Sequence, residues 1–283
     1  MTNLTEIIAT FPSLRTTVEA HQLMADKKLG QNFLLDQNIT DKIIRCSLSS
    51  QNLSDFTGAE VFEIGPGPGG LTRAILKASP DKLTVIEMDS RCISIMEEIQ
   101  SKTGNILEIK NADALKYPYP QSTDKNIHII SNLPYNISVP LLINWLTSIN
   151  NYKSLTLMFQ KEVAERIMAS IRCKDYGRIS ILSQLQCKIT KLFDLSPECF
   201  VPAPKIWSTV LLFEPLSAPL NSKQIEKLEK LTSQAFSARR KMIRQSLKSY
   251  NNLETACEQL GIPLTSRPEE LTPQQFLALS QTL

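Results

Sequence analysis

The sequence predicts an α/β protein: a doubly wound parallel sheet covered by helices, followed by a small all-helical C-terminal domain. Three observations predict it. From Glu60 onward, short β-rich apolar runs alternate with stretches of helical period, the signature of parallel strands joined by helical crossovers. A glycine-rich turn follows the first of these runs. Beyond the proline-rich linker Glu214-Pro215-Leu216-Ser217-Ala218-Pro219, no strand candidate remains.

The elements follow in order. Glu60 to Ile64 reads as the first strand, then a helix from about Leu71 to Ala78 and a second strand from Leu83 to Glu87. Ile106 to Lys110, Ile127 to Asn132 and Ser154 to Phe159 read as further strands, with helices around Arg91 to Gln100 and Pro140 to Ile149 between them. A polar helix from about Lys161 to Ser170 and an apolar-periodic segment from Ile179 to Cys187 come next. Ile189 to Leu195 and Ser208 to Phe213 read as strands at the far edge of the sheet. In the tail, apolar residues at helical spacing predict three amphipathic helices and a last one after Pro273. The second of these is expected to run from about Ser237 to Tyr250, with Arg240, Arg244 and Lys248 along one face.

Composition sets the outer limits. At 283 residues, with 42% hydrophobic and 21% charged content, the chain is of ordinary globular make-up and suits one large domain or a large and a small one. Disordered, collagen-like and coiled-coil readings are excluded. No run of 18 apolar residues occurs, and Glu6, Arg15 and Glu19 interrupt the apolar stretches that a secretory signal would need. Six scattered cysteines without a C-x-x-C pair, and only His21 and His128, argue against a zinc motif; no metal is expected, and the thiols fit a reducing, cytoplasmic setting. His128 lies inside an apolar run and reads as structural. Net charge is +3, but Asn221 to Tyr250 holds eight basic residues against Glu226 and Glu229, a polyanion-facing signature on a near-neutral body.

The chemistry gathers at strand ends. In Val61-Phe62-Glu63-Ile64-Gly65-Pro66-Gly67-Pro68-Gly69-Gly70, a strand runs into a glycine turn that allows close approach of backbone to a nucleotide. Glu87 ends the next strand, where such folds place a carboxylate on the ribose hydroxyls of an adenosine-type ligand. Asp113, after the third strand, could accept from an adenine amino group or simply cap an Asx turn. These residues leave a nicotinamide and a sulfonium cofactor both open. The fourth strand decides between them, because it ends in Asn132-Leu133-Pro134-Tyr135. An adenine amine is a weak nucleophile whose protons need acceptors, and the Asn132 amide and Leu133 backbone carbonyls can supply them. Pro134 would fix the turn and Tyr135 would stack on an extruded base.

With these motifs in view, the sequence resembles the bacterial small-subunit ribosomal RNA adenine N6,N6-dimethyltransferases, the kasugamycin-resistance family, over about Lys27 to Leu279. Beside the residues above, the resemblance rests on Lys27-Lys28-Leu29-Gly30-Gln31-Asn32-Phe33-Leu34, Asn136-Ile137-Ser138, Tyr176-Gly177-Arg178, Phe200-x-Pro202-x-Pro204-Lys205 and Ala235-Phe236-Ser237-x-Arg239-Arg240-Lys241-Met242. It implies a Rossmann-like methyltransferase domain over 27–215 and a helical RNA- or ribosome-binding domain over 216–283, while the N-terminal extension over 1–26 departs from the family pattern. It further implies S-adenosyl-L-methionine contacts at Asn32, Leu34, Gly65, Glu87, Asp113 and Asn132. The target base would meet Asn132, Leu133, Pro134, Tyr135 and Phe200, and RNA would meet Arg239, Arg240, Lys241, Arg244 and Lys248.

The implied partner is 16S ribosomal RNA in the 30S subunit or its precursor, approached by a monomer. From the residues alone, Gln31 to Leu34 read only as a loop and Phe200 to Pro204 as a rigid loop. Trp207 departs from the family pattern, which usually has an acidic residue there. Two alternatives stay open: a large-subunit RNA adenine methyltransferase of the macrolide-resistance type, and an RNA-binding assembly factor with dispensable catalysis.

Overall fold

The structure, a computed structural model, describes residues 4–25, 31–121 and 126–283. Its contacts group into two compact units: Met1–Leu142, Asn150–Lys161 and Thr190–Glu214 in the first, Ile143–Ile149, Glu162–Ile189 and Pro215–Leu283 in the second.

The chain opens with α1 (Leu4–Ala9), α2 (Leu14–Ala20), β1 (Phe33–Leu34) and α3 (Gln37–Ser50). Then β2 (Glu60–Ile64), α4 (Gly70–Lys77), β3 (Lys82–Glu87), α5 (Ser90–Thr103) and β4 (Leu107–Asn111) follow the alternation expected. β5 (Ile127–Asn132), α6 (Ser138–Thr147), β6 (Ser154–Gln160), α7 (Lys161–Met168) and α8 (Arg178–Gln186) continue it. β7 (Cys187–Leu195), β8 (Phe200–Val201) and β9 (Ser208–Pro215) close the sheets, and α9 (Ser222–Ser237), α10 (Ile243–Ser246), α11 (Leu253–Gln259) and α12 (Pro273–Thr282) form the tail.

Seven strands pair in the order β4-β3-β2-β5-β6-β9-β7. Strands β4 to β6 are parallel, whereas β9 runs antiparallel to β6 with Gln160 opposite Ser208. Winding goes outward from β2 through β3 to β4, then returns to β5 and goes the other way. The order therefore reverses between β2 and β5, and a crevice opens outside the carboxyl ends of these strands. The Ser131 hydroxyl donates to the Ile64 carbonyl at 2.6 Å and ties the two strand ends together.

Burial on both faces explains the unbroken apolar strands. Val61, Leu83 and Val85 share one core cluster with Ile75, Leu76, Cys92, Ile95 and Ile99 of α4 and α5, while Ile64, Ile127 and Ile129, at most 2% exposed, are buried outside that cluster. His128 shares this interior. Its Nδ1 lies 2.8 Å from Ser154 Oγ and its ring 5.1 Å from Phe56, and burial pulls it down to about 4, so it is neutral at physiological pH.

Residues 4–25 hold two helices attached to α4 and α5. Ser13 caps α2 by accepting from Thr16 N–H, and Leu14 is buried against Gly70. The Arg73 guanidinium donates to the Pro12 carbonyl at 2.7 Å and to Thr17 Oγ1 at 3.2 Å, and lies 5.1 Å from the Phe11 ring. His21 Nε2 is 3.0 Å from Glu98 Oε1. Phe33 and Leu34, expected in a loop, form β1, which pairs antiparallel with Phe200 and Val201 of β8. The peptide bond between Val201 and Pro202 is cis.

In the second unit α9 packs on α8 and α12. Tyr176, fully buried, donates its hydroxyl to the Leu271 carbonyl at 2.9 Å and meets Phe236, which in turn meets Phe276. The expected helix from Ser237 to Tyr250 is not formed. α9 ends at Ser237, residues 238–242 turn, and α10 is a single turn from Ile243 to Ser246. Two causes combine. Arg239, Arg240, Lys241 and Arg244 would crowd like charges on adjacent turns with no acid among them. The backbone N–H groups of Ile243 and Arg244 instead donate to Ser266 and Leu264, and Arg239 is drawn to Glu269. The one-face alignment of Arg240, Arg244 and Lys248 is therefore lost, although Ile243 and Leu247 are fully buried.

Gly69 starts α4 at φ +84°, and a Cβ there would lie 2.8 Å from Ile99 Cδ1 and 2.9 Å from Met96 Cε. We expect Gly69→Ala to lower unfolding free energy by roughly 2 kcal/mol, about half from left-handed backbone and half from overpacking. Urea titration checks this, and an unchanged midpoint would mean that the turn relaxes freely.

Candidate active site

The carboxyl ends of β2, β3 and β5 open into one cavity of about 310 Å³ in the first unit. Asn32, Leu34, Gly65, Glu87, Asp113 and Asn132, singled out for cofactor, all line it, and so do Leu133, Pro134 and Tyr135. Residues as far apart as Asn32 and Tyr135 are thus brought to one cavity. Lys27 to Gly30 lie outside the described residues.

The glycine turn is shaped by its neighbours. A Cβ on Gly67 would lie 3.1 Å from the Phe33 ring, so β1 can press directly on the turn only because that position is glycine. Pro134 packs against Gly65 from the other side, its Cδ 3.5 Å from where a Cβ would stand.

Glu87 organises the far side. It is 8% exposed, and its Oε1 accepts from the N–H groups of Met88 and Asp89 at 2.8 and 2.9 Å. Burial raises its pKa, while backbone hydrogen bonds from Asp89, Met88 and Gly67 oppose the rise. Its carboxylate retains acceptor capacity toward the cavity, since the pair of oxygens offers about four lone-pair sites. Asp89 next to it caps α5, and its Oδ2 accepts from Arg91 at 2.6 Å and from Gln31 Nε2 at 3.0 Å. These bonds, Arg91's first, hold its pKa down to about 2. Arg91 also donates to the Met24 carbonyl at 3.1 Å, so one guanidinium fastens the chain that enters the cavity wall.

Asp113 forms the expected Asx turn and also faces the cavity. One carboxylate oxygen accepts from Leu115 N–H at 3.0 Å, closing the turn. At the end of β5, Asn132 Nδ2 donates to the Asn32 carbonyl at 3.3 Å, which leaves Oδ1 as the acceptor end of the amide. Tyr135 is half-buried with its hydroxyl 2.9 Å from Ser208 Oγ, and burial raises its pKa although Ser208 opposes this.

Phe200 is placed elsewhere. At 2% exposed it belongs to the same hydrophobic cluster as Phe33 and Leu34 and does not line the cavity. Its backbone pairs with Leu34 of β1, and its side chain is packed in the core beside that strand. The tail cations also divide. Arg239 Nε donates to Glu269 at 2.8 Å and its Nη2 to the Cys173 carbonyl at 2.9 Å, whereas Arg240, Lys241, Arg244 and Lys248 are exposed.

Glu63 is a cavity residue that sequence reasoning misses. It is 1% exposed, lines the cavity and accepts from the Thr72 hydroxyl at 2.7 Å. Burial pushes its carboxyl up to about 8; the Thr72 bond works against this and the nearby Glu87 charge adds to it. The available signal is an acid inside a strand whose residues Val61 to Ile64 are otherwise all apolar. Gln31 and Asp89 carry no comparable mark.

A cavity of this size with carboxylates at two strand ends, a glycine turn and mostly apolar walls fits a nucleoside with a small charged appendage. Comparison with known proteins supplies the decision. The family described as Ribosomal RNA adenine dimethylase matches residues 23–283. The chain belongs to that family.

Among relatives, "Ribosomal RNA small subunit methyltransferase A" of Rhodospirillum rubrum is 41% identical over 272 residues, covering 96% of this chain and 92% of its own. The Allorhizobium ampelinum protein of the same name is 44% identical over 276 residues, covering 96% of this chain and 98% of its own. The solved dimethyladenosine transferase from Plasmodium falciparum superposes with a TM-score of 0.70 at 28% identity, over 86% of this chain and 94% of its own. Like other ribosomal RNA adenine dimethylases, the protein is an S-adenosylmethionine-dependent methyltransferase with a Rossmann-like sheet. Among the described residues no helix is long and apolar enough to cross a membrane.

The buried acid gives a pH signature. A raised folded-state pKa means that the folded protein holds a proton which the unfolded chain releases, so this contribution is fully favourable below about 4.5 and is lost as pH climbs toward about 8. Glu63→Gln keeps an acceptor for Thr72 and cannot ionise. It should match the parent near pH 4.5 and exceed it by roughly 2 kcal/mol or more at pH 8.5. Urea midpoints across that range check this, and parallel curves would show that Glu63 ionises normally.

Proposed function

We propose that the protein transfers methyl groups from S-adenosyl-L-methionine to N6 of two adjacent adenosines in the 3′-terminal hairpin of 16S ribosomal RNA, in the 30S subunit or its precursor. Two observations support the small-subunit target: the names of the relatives, and their coverage of nearly the whole chain. We read the protein as a monomer, and as cytoplasmic because its substrate is the ribosome.

The orientation of Asn132 carries the mechanism. With Nδ2 committed to the Asn32 carbonyl, Oδ1 is the free acceptor of the amide, and with the Leu133 carbonyl it would accept hydrogen bonds from the amine as the nitrogen rehybridises; the one proton lost per methyl transferred leaves to solvent. Pro134 keeps this turn rigid against Gly65, and Tyr135, pinned by Ser208, would stack on the extruded adenine. Glu87 would accept from both ribose hydroxyls of the cofactor, Asp113 from its adenine amine, and Asn32, Leu34 and Gly65 would close around it. The cofactor supplies the electrophilic methyl group; the residues position and desolvate the amine, and no strong base is called for. In this conformation Phe200 supports β1 from the interior, and base stacking rests on Tyr135 alone.

We further read 27–215 as the catalytic domain and 216–283 as the part that docks on RNA, with 1–26 as an extension. Arg240, Lys241, Arg244 and Lys248 are the exposed cations suited to phosphate. Arg239 has its partners within the protein.

The deciding assay incubates the protein and labelled S-adenosylmethionine with 30S or 50S particles lacking their own modifications, then digests the RNA. Dimethyladenosine should come from 30S particles, and label confined to 50S particles would transfer the reading to the macrolide-resistance type. Asn132→Ala should lower single-turnover methyl transfer by at least about 100-fold while particle affinity stays within about twofold; a near-normal rate would reduce Asn132 to a turn residue. Replacing Arg240, Arg244 and Lys248 by Gln should weaken particle binding and flatten its log-salt slope by roughly 0.7–0.9 for each phosphate no longer neutralised. An unchanged slope would remove the tail from the docking surface.

A further inference from the structure

Trp207 is one of two tryptophans in the chain, and the two have opposite surroundings. Trp145 is fully buried, whereas Trp207 is 49% exposed. Its backbone is fixed all the same. The Trp207 carbonyl accepts from Lys161 N–H at 2.8 Å, where β6 ends, and the next residue, Ser208, opens β9 opposite Gln160. The indole is thus held out to solvent from a rigid corner of the sheet, not from a free loop.

That corner adjoins the proposed base site. Ser208 is the residue whose Oγ lies 2.9 Å from the Tyr135 hydroxyl, so the Trp207 Cα stands one peptide step, about 3.8 Å, from the Cα of the residue that pins the stacking tyrosine. Positive charge accompanies the ring. Lys161 Nζ is 5.9 Å from the ring centroid, and Lys205 is exposed two residues earlier. Lys161 Nζ is also 3.7 Å from Asp194 Oδ2, but that acid is shared with Lys191 at 2.8 Å and accepts from the Thr209 hydroxyl at 2.7 Å, so two cations face one carboxylate.

We infer that Trp207 is a stacking platform for the nucleotide next to the target adenosine, with Lys161 and Lys205 beside the adjoining phosphates. The inference rests on the proposed reading of the site. Extruding one of two adjacent adenosines strips its neighbour of a stacking partner, and an indole can replace that lost face whatever the base. A flat aromatic flanked by lysines matches single-stranded RNA on both counts, π-surface and charge. A protein partner would call for a broader apolar area than Trp207 and Ile206 offer.

The test measures affinity for unmethylated small-subunit particles and maps photo-cross-links from an aryl-azide side chain placed at position 207. Trp207→Ala should bind about tenfold more weakly, Trp207→Phe within about threefold of the parent, and S-adenosylhomocysteine affinity should be the same in all three. Cross-links should fall on ribosomal RNA within a few nucleotides of the methylated adenosines. Parent-like affinity in Trp207→Ala, equal losses in the Ala and Phe variants, or cross-links to ribosomal protein alone would each overturn the inference. Failure of the parent itself to dimethylate small-subunit RNA would overturn the site reading instead.

Discussion

A carboxylate buried at the end of β3 has to be satisfied by whatever surrounds it, and Glu87 meets that demand with backbone. Its hydrogen bonds from the N–H groups of Met88 and Asp89 close the end of β3, and the Gly67 backbone in the glycine turn after β2 helps them hold down its pKa. Asp89, oriented in part by the same contact, caps α5 and collects Arg91 and Gln31. Through Arg91 and Gln31 the cluster reaches the N-terminal chain on both flanks of residues 26–30. The end of β3, the start of α5 and the chain that enters the cavity wall thus meet at two neighbouring acids, Glu87 and Asp89.

The apolar frame makes such a cluster rigid enough to be useful. Strands buried on both faces hold their ends in register, and the Ser131–Ile64 hydrogen bond keeps the reversal point between β2 and β5 closed at its base. Two acids then sit close together in a low-dielectric place and diverge in behaviour. Glu63, given one hydroxyl, is pushed up to about 8, whereas backbone donors temper the rise at Glu87. One position favours a neutral carboxylic acid and the other retains acceptor oxygens, an arrangement suited to a ligand with both donors and acceptors.

The N-terminal helices belong to this frame. Arg73 donates to the carbonyl of Pro12 and the hydroxyl of Thr17, and Leu14 fills the space that Gly70 leaves open. These contacts fall on the first turns of α4, the helix that begins at the cavity. The extension is therefore bonded to the scaffold beside the site, in addition to preceding the Gln31 to Leu34 strand.

Local chemistry alone determined much of this protein. Strand order of appearance, the glycine turn, Glu87, Asp113 and Asn132 were legible because apolar runs, glycines and acids at strand ends are short-range signals whose meaning changes little with context. Tertiary structure decided what depended on partners far along the chain. Phe200 became a core residue because β8 pairs with β1, Glu63 became a neutral acid because both faces of β2 are covered, and Arg239 turned inward because Glu269 and Cys173 await it. The basic stretch after Ser237 has helical spacing but broke into turns, since the backbone donors of Ile243 and Arg244 found acceptors at Ser266 and Leu264. Periodicity records which faces a segment can bury; which hydrogen-bond acceptors and countercharges lie within reach is settled only when the chain has folded.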